Sequence, residues 1–389
     1  FRSLGDIPRA EDLHQPASKS RVDGPFHWIP RYNHTSWKEA QRMSMSMART
    51  TKPPGASAAP PMSSTPSAAD GEPVLALRDS LLLSQRSSTI ARQMGMIERE
   101  LMAGIDWSEL SEPSWDQHTV RQEQWQLEYQ DYVMFRIRQT MNDEPSEGQK
   151  DALRQTIHGR GIHMLIARFN RTCAWVASHI VRSNNIQERV AIVNKFIRIA
   201  WHCYRQGNME SLCQIMFGLQ SPWIARLQQT WEQVSLWELR AFEALRRFTS
   251  PREQFAFLRY SMREAIETNI PSRRFSPLTT SSSPYVPFFG QFVSDLSVID
   301  SLASFVDASG MPNTMPLYDD QELSLSWDAL VNVYRLRIKS HIVREFITLQ
   351  RCQRQAPAPP MELPILIEVL QLDTLSAMAI QSTSLALEP

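Results

Sequence analysis

Few residues in this chain stand where they could do covalent chemistry. His158 and His163 flank Gly159-Arg160-Gly161. A phosphate-cradling loop would need GxxxxGK[ST] running from a strand into a helix, so that backbone N–H groups converge on the anion, and that pattern is absent here. A metal centre would need further ligands close by. The segment reads instead as a loop entering the helix that holds Phe169. The four cysteines, Cys173, Cys203, Cys213 and Cys352, have no paired spacing, and three fall within helical stripes. They read as small buried apolar side chains in a reducing cytosol, not as disulfide or zinc ligands. With no nucleophile motif and no ligand cluster, neither a cofactor nor a metal is expected. Any activity must come from docking a partner.

The elements that would shape a docking surface are helical. The chain has 389 residues, 42% of them hydrophobic, with only 13 glycines, which favours a large helical core. Formal net charge is zero, so no bulk attraction to nucleic acid is expected. No apolar run approaches the ~18 residues needed to span a bilayer. The chain opens on Phe and reads as an excerpt of a longer protein. Residues 1–86 are expected to be a disordered or linker arm, with Thr51 to Pro73 rich in Pro, Ala and Ser. A folded domain is expected over 87–389.

Within that domain Ile90, Met94, Ile97, Leu101 and Ile105 stand at helical spacing, as do Trp125, Tyr129, Tyr132, Val133 and Ile137. From Arg189 a stripe runs through Val190, Val193, Phe196, Ile197, Ala200, Cys203 and Tyr204. Asn185, three residues before Glu188, suggests a capping box at its start. Gly207 ends that helix and Asn208 caps the next. Ser221-Pro222 is expected to open one helix carrying Ile224, Leu227 and Trp231 on a shared face. Leu236 to Phe248 marks another, and Ser250-Pro251-Arg252-Glu253 reads as a capping box starting one more. Loops are expected at 142–150 and 271–284.

These stretches carry a resemblance. The pattern FN…WV…I over residues 169–180, then ER…FI-x-IA…C, then N…S…I…GL-x-S…I-x-RL…TW resembles the catalytic domain of Ras-family guanine-nucleotide exchange factors. So does PYVPFFGQFVSDLSVID at 284–300, which is similar to that family's P-x-x-P-[FL]-x-G-x-[YF]-[LV]-x-D-L. Leu330-Val331-Asn332 with the helix through Arg335, Arg337 and His341 matches the element behind it, and Ser384-Leu385-x-x-Glu388-Pro389 the family's closing motif.

The resemblance implies an all-α bundle with a protruding helical hairpin, and a Ras-like small GTPase, of Ras or Rap type, as partner. It implies a non-enzyme that speeds nucleotide release without covalent chemistry, in the cytoplasm and recruited to the inner face of the plasma membrane. Ser294, Asp295, Ser297, Val298, Ile299, Asp300 and Ser301 fall where the family's hairpin enters or borders the nucleotide site. Arg189, Asn208, Phe288, Phe289, Lys339 and His341 fall where the GTPase is held. Each has a plainer reading beside this one: Asn208 as a helix cap, Arg189 as a salt bridge, Phe288 and Phe289 as core. The chain also departs from the pattern. Asp300-Ser301-Leu302 stands where many members have Glu-Glu-Gly, the stretch from Ala303 to Trp327 is longer than usual, and no Ras-exchanger motif is found upstream. A non-catalytic, GTPase-binding scaffold of the same fold is the alternative.

Overall fold

A computed structural model describes residues 81–111, 120–141, 148, 159–269, 285–307, 309–311, 330–355 and 360–388. Residues 1–80 of the expected arm, the expected loop at 271–284 and nearly all of that at 142–150 lie outside them. The described chain is helical apart from one two-stranded ladder. In order come α1 (Leu81–Ser84), α2 (Ser87–Ala103), α3 (Trp107–Ser111), α4 (Val120–Met141), α5 (Gly161–Arg182), α6 (Ile186–Arg205) and α7 (Met209–Leu219). After them come α8 (Pro222–Ala225), α9 (Gln228–Glu232), α10 (Leu236–Phe248), α11 (Ala256–Asn269) and α12 (Phe289–Asp300). Strands β1 (Phe305–Val306) and β2 (Leu330–Val331) precede α13 (Val333–Gln355), α14 (Leu363–Gln371) and α15 (Ala377–Leu387).

Helix α5 is the axis. It is buried nearly all round, including Phe169, Trp175, Val176 and Ile180, with Arg168, Thr172 and Ser178 buried among them. It packs most extensively on α7, and α4, α6 and α15 close around it. The α5–α7 crossing is tight enough to require a glycine. A Cβ on Gly218 would meet Val176 at 2.8 Å and the Cys173 carbonyl at 2.9 Å.

A buried polar network threads this core. Arg168 Nε donates to Glu98 at 2.7 Å, with both side chains fully buried. One Arg168 Nη donates to Tyr129 Oη at 2.7 Å and to the Val369 carbonyl at 2.8 Å, and Tyr129 donates to the Leu370 carbonyl at 2.9 Å. One cation thus joins α2, α4, α5 and α14. A charge this deep is tolerated only because its partners are fixed in place.

Local chemistry departs from the expected elements at three points. Asn185 does cap α6, accepting from Gln187 N at 2.8 Å, but the Glu188 carboxylate takes the Ser183 hydroxyl instead of completing the box. The helix expected from Pro222 to Trp231 is split into α8 and α9 around Leu227, whose side chain turns into the core. The capping box expected at Ser250 does not launch a helix. Glu253, Gln254 and Phe255 all have positive φ, and α11 starts at Ala256. Such left-handed residues cost about 1–2 kcal/mol each. The turn delivers Phe255 into the core, 5.2 Å from Phe288.

Both ends of the described chain are tied in. Leu82 on α1 is buried, so packing begins ahead of Ser87. Glu388 accepts from Gln229 N, Thr230 N and the Thr230 hydroxyl, and lies 3.6 Å from Arg189. Among the described residues no helix is long and apolar enough to cross a membrane.

Replacing Arg168 with Met strands the Glu98 carboxylate in the core. The expected cost is about 3–5 kcal/mol, read as a lower urea midpoint. Adding Glu98→Gln is expected to recover part of that loss; a double variant no better than the single one would show that the pair is not coupled.

Candidate functional site

The hairpin formed by α12, the β1–β2 ladder and α13 is positioned by one turn, Gly207 to Glu210. Gly207 takes φ 74, which lets the chain reverse sharply between α6 and α7. Val286 N donates to the Gly207 carbonyl and Met209 N to the Val286 carbonyl, both at 2.8 Å. Asn208 accepts from Ser211 N at 3.1 Å, so its predicted cap on α7 forms. Glu210 accepts from Phe289 N at 2.7 Å, satisfying a first-turn donor of α12. Gln214 links Glu210, at 3.5 Å, to Glu98, at 3.1 Å. The buried network therefore runs unbroken from Arg168 to the foot of the hairpin. Burial, and then the charge of Glu98, raise the Glu210 pKa well above the carboxylate range.

The aromatic motif fixes the base of the hairpin. Phe288 packs against Phe169, Phe217 and Phe255, with ring centroids 5.2–6.0 Å apart. A Cβ on Gly290 would stand 2.3 Å from the Phe288 ring, so the glycine makes room for that ring to fold back. Phe289 and Phe292 pack edge-on against Phe346 of α13.

Both carboxylates of α12 are engaged. Asp295 holds Arg259 of α11 through two bonds of 2.6 Å. Asp300 accepts from Arg335 at 2.8 Å and from Lys339 at 2.7 Å, and Lys339 also donates to the Ser111 carbonyl at 2.7 Å. The Asp300 side chain is 14% exposed. Just after β1, Asp307 accepts from Ser309 N, the Ser309 hydroxyl and Met311 N, and these bonds pull its pKa down. Asn332 clasps the two arms. Its amide donates to the Ala303 carbonyl, its backbone N–H to Ser304, and its side-chain oxygen accepts from Arg335 N.

The residues singled out in the sequence thus fall into three groups. Val298, Ser301 and His341 are exposed, and Ser294 and Ser297 half-buried, on the surface of the hairpin. Asp295, Asp300 and Lys339 brace it from inside. Arg189, Asn208, Phe288 and Phe289 are buried, and Ile299 is only 8% exposed. Arg189 sits among Thr230, Ser183 and Glu388, away from the hairpin.

Sequence reasoning missed an apolar surface at the distal end. Leu302, Phe305, Leu330, Val331, Tyr334 and Leu336 are all exposed there, beside Val298. The ladder pairs Phe305 with Val331 and Val306 with Leu330. The two apolar pairs followed by Asn332 were the available signal: short strands closed by a helix cap. Among the described residues no group of three or more His, Cys, Asp or Glu could hold a metal ion.

Comparison with known proteins bears on this arrangement directly. The RasGEF domain family matches residues 89–337, well over half the chain. This chain belongs to the RasGEF domain family. Similar proteins include guanine nucleotide exchange factor LTE1 of Kluyveromyces lactis, 26% identical over 217 residues, covering 56% of this chain and 13% of that protein. Mouse Ras-specific guanine nucleotide-releasing factor 1 is 27% identical over 222 residues, covering 57% of this chain and 15% of that protein. Human Rap guanine nucleotide exchange factor 5 is 36% identical over 94 residues, covering 24% and 16%. The chain thus spans a small part of the length of these relatives. The family match ends at Arg337, inside α13; beyond it, α14 and α15 contribute buried Leu366, Leu370 and Ile380 to the core.

The raised Glu210 pKa has a definite sign. The folded state favours the protonated acid, so the stability it contributes is complete below the unfolded value of 4.5 and is lost as pH rises through the folded value. Glu210→Gln does not titrate. Its stability relative to the parent is expected to increase as pH rises above 4.5; parallel stability–pH curves for the two proteins would refute the assignment.

Proposed function

We infer that this RasGEF domain accelerates GDP release from a Ras-like small GTPase, with the hairpin acting as a wedge at the nucleotide site. The observation that carries the reading is the exposed apolar cluster at the distal end of a hairpin whose base is locked by Glu210, Phe288 and Phe346. A wedge needs both parts: a tip that gains by contact and a foot that does not yield. The names of its relatives, which are exchange or releasing factors for Ras and Rap proteins, support the class of partner.

The energetics need no covalent step. A nucleotide held at picomolar strength corresponds to about 16 kcal/mol, so unaided release is slow. A factor that prefers the nucleotide-free GTPase weakens nucleotide binding by as much as nucleotide weakens its own, because the coupling is reciprocal. Displacing the magnesium ion, the largest local charge, weakens the phosphate contacts further. In this chain the hairpin carboxylates Asp295, Asp300 and Asp307 are already bonded within the fold. Among the described residues, the displacement in this reading falls to Val298, Leu302 and Leu336, which occupy space, with Ser297 and Ser301 supplying hydroxyls. This reading fits a cytoplasmic domain recruited to the inner face of the plasma membrane.

Those same engaged carboxylates favour a second reading, a scaffold that binds a GTPase without exchange. Release of labelled GDP from a panel of Ras-type and Rap-type proteins separates the two. Acceleration on at least one member is expected; stable complex formation with no acceleration on any would establish the scaffold.

Val298→Asp and Leu336→Asp are each expected to slow GDP release by about 30-fold or more, the scale of an interface hot spot. Both positions are exposed, so thermal unfolding is expected to stay within about 0.5 kcal/mol of the parent. Unchanged release in both variants would remove the distal cluster from the mechanism.

A further inference from the structure

We propose that the outer face of α13 is a docking surface for anionic phospholipid. The helix carries Arg335, Arg337, Lys339, Arg344, Arg351 and Arg354 against a single acid, Glu345. Three of these cations are used inside the fold. Arg335 and Lys339 hold Asp300, and Arg354 donates to the Ala103 carbonyl. Arg337, Arg344 and Arg351 are exposed, and none of their side chains bonds to a described residue. Glu345 lies 3.7 Å from His341 on the same helix and forms no ion pair with any of the three.

Their spacing makes one surface. Positions seven apart return within ~20° on an α-helix and lie ~10.5 Å further along it, so the three guanidiniums form a line of about 21 Å. Exposed Val333 lies at the distal end of the same line. The whole chain has zero net charge, so this row is local segregation and not general basicity. Guanidinium forks match phosphate oxygens in pairs, and they resist loss of charge near an anionic surface. A straight, evenly spaced row with an apolar residue at one end suits a planar array of phosphates better than the uneven relief of an acidic protein. Leu336 precedes Arg337 by one residue and so faces about 100° away around the helix. The hairpin can therefore engage a protein partner on one side while this row meets lipid on another.

Sedimentation of the 389-residue chain with vesicles tests the proposal without any GTPase or nucleotide, so its outcome is independent of the exchange reading. The chain is expected to pellet with phosphatidylcholine vesicles containing phosphatidylserine, not with phosphatidylcholine alone, and to release at high salt. Arg337→Ala/Arg344→Ala/Arg351→Ala is expected to lower partitioning by a factor on the order of 100, from three basic groups near the surface. Arg247→Ala, an exposed arginine of α10, is expected to bind like the parent. Unaltered pelleting of the triple variant, or a parent that ignores anionic vesicles, would overturn the proposal. Equally, if the triple variant slows GDP release from a soluble GTPase without vesicles and still pellets normally, the row meets an acidic protein and the lipid assignment is wrong.

Discussion

One hydrogen bond, from Phe289 N to the buried carboxyl of Glu210, connects the bundle to the part of the molecule that projects from it. It closes a relay that begins at Arg168 and passes through Glu98 and Gln214. The members are buried, so each is worth little unless the others are in place. A hairpin held only by apolar packing could shift along its neighbours. Directional bonds to the first turn of α12 set its angle and register. The platform thereby holds the foot of the hairpin rigid.

The hairpin is also braced at mid-height. Asp295 reaches back to α11, and Asp300 reaches across to α13 and, through Lys339, to the end of α3. These ion pairs are partly exposed and individually modest. Their effect is cumulative, because they fix the separation of α12 and α13 just below the exposed apolar tip. The geometry gives Asp300 a structural occupation. What faces outward beside it is Val298, Ser301 and Leu302.

Much of this was legible in the sequence, and the boundary follows physical lines. Helix stripes such as Val190 to Tyr204, the cap at Asn208 and the aromatic hairpin foot depend on short-range spacing, and they stand in the fold as read. What could not be read were outcomes set by distant residues. Glu388 looks like an ordinary terminal acid until Arg189 and Thr230 surround it. Glu253 to Phe255 resemble a helix start, but burying Phe255 beside Phe288 overrides local preference. Asp295 and Asp300 read as candidates for outward chemistry because their cations, Arg259 and Arg335, lie 36 and 35 residues away. Exposure at the tip was equally hidden, since apolar pairs such as Leu330-Val331 more often signal a buried strand.

The Arg168 site also constrains how the molecule is made. Its carbonyl partner on Val369 lies 201 residues further along the chain. During synthesis the guanidinium is therefore exposed to the cell long before its acceptor leaves the ribosome. Helices α4 to α7 can form and collapse in that interval, but their central cation must remain hydrated until α14 arrives. Final closure thus waits for α14, and the nascent bundle spends that time with apolar surface open to chaperones.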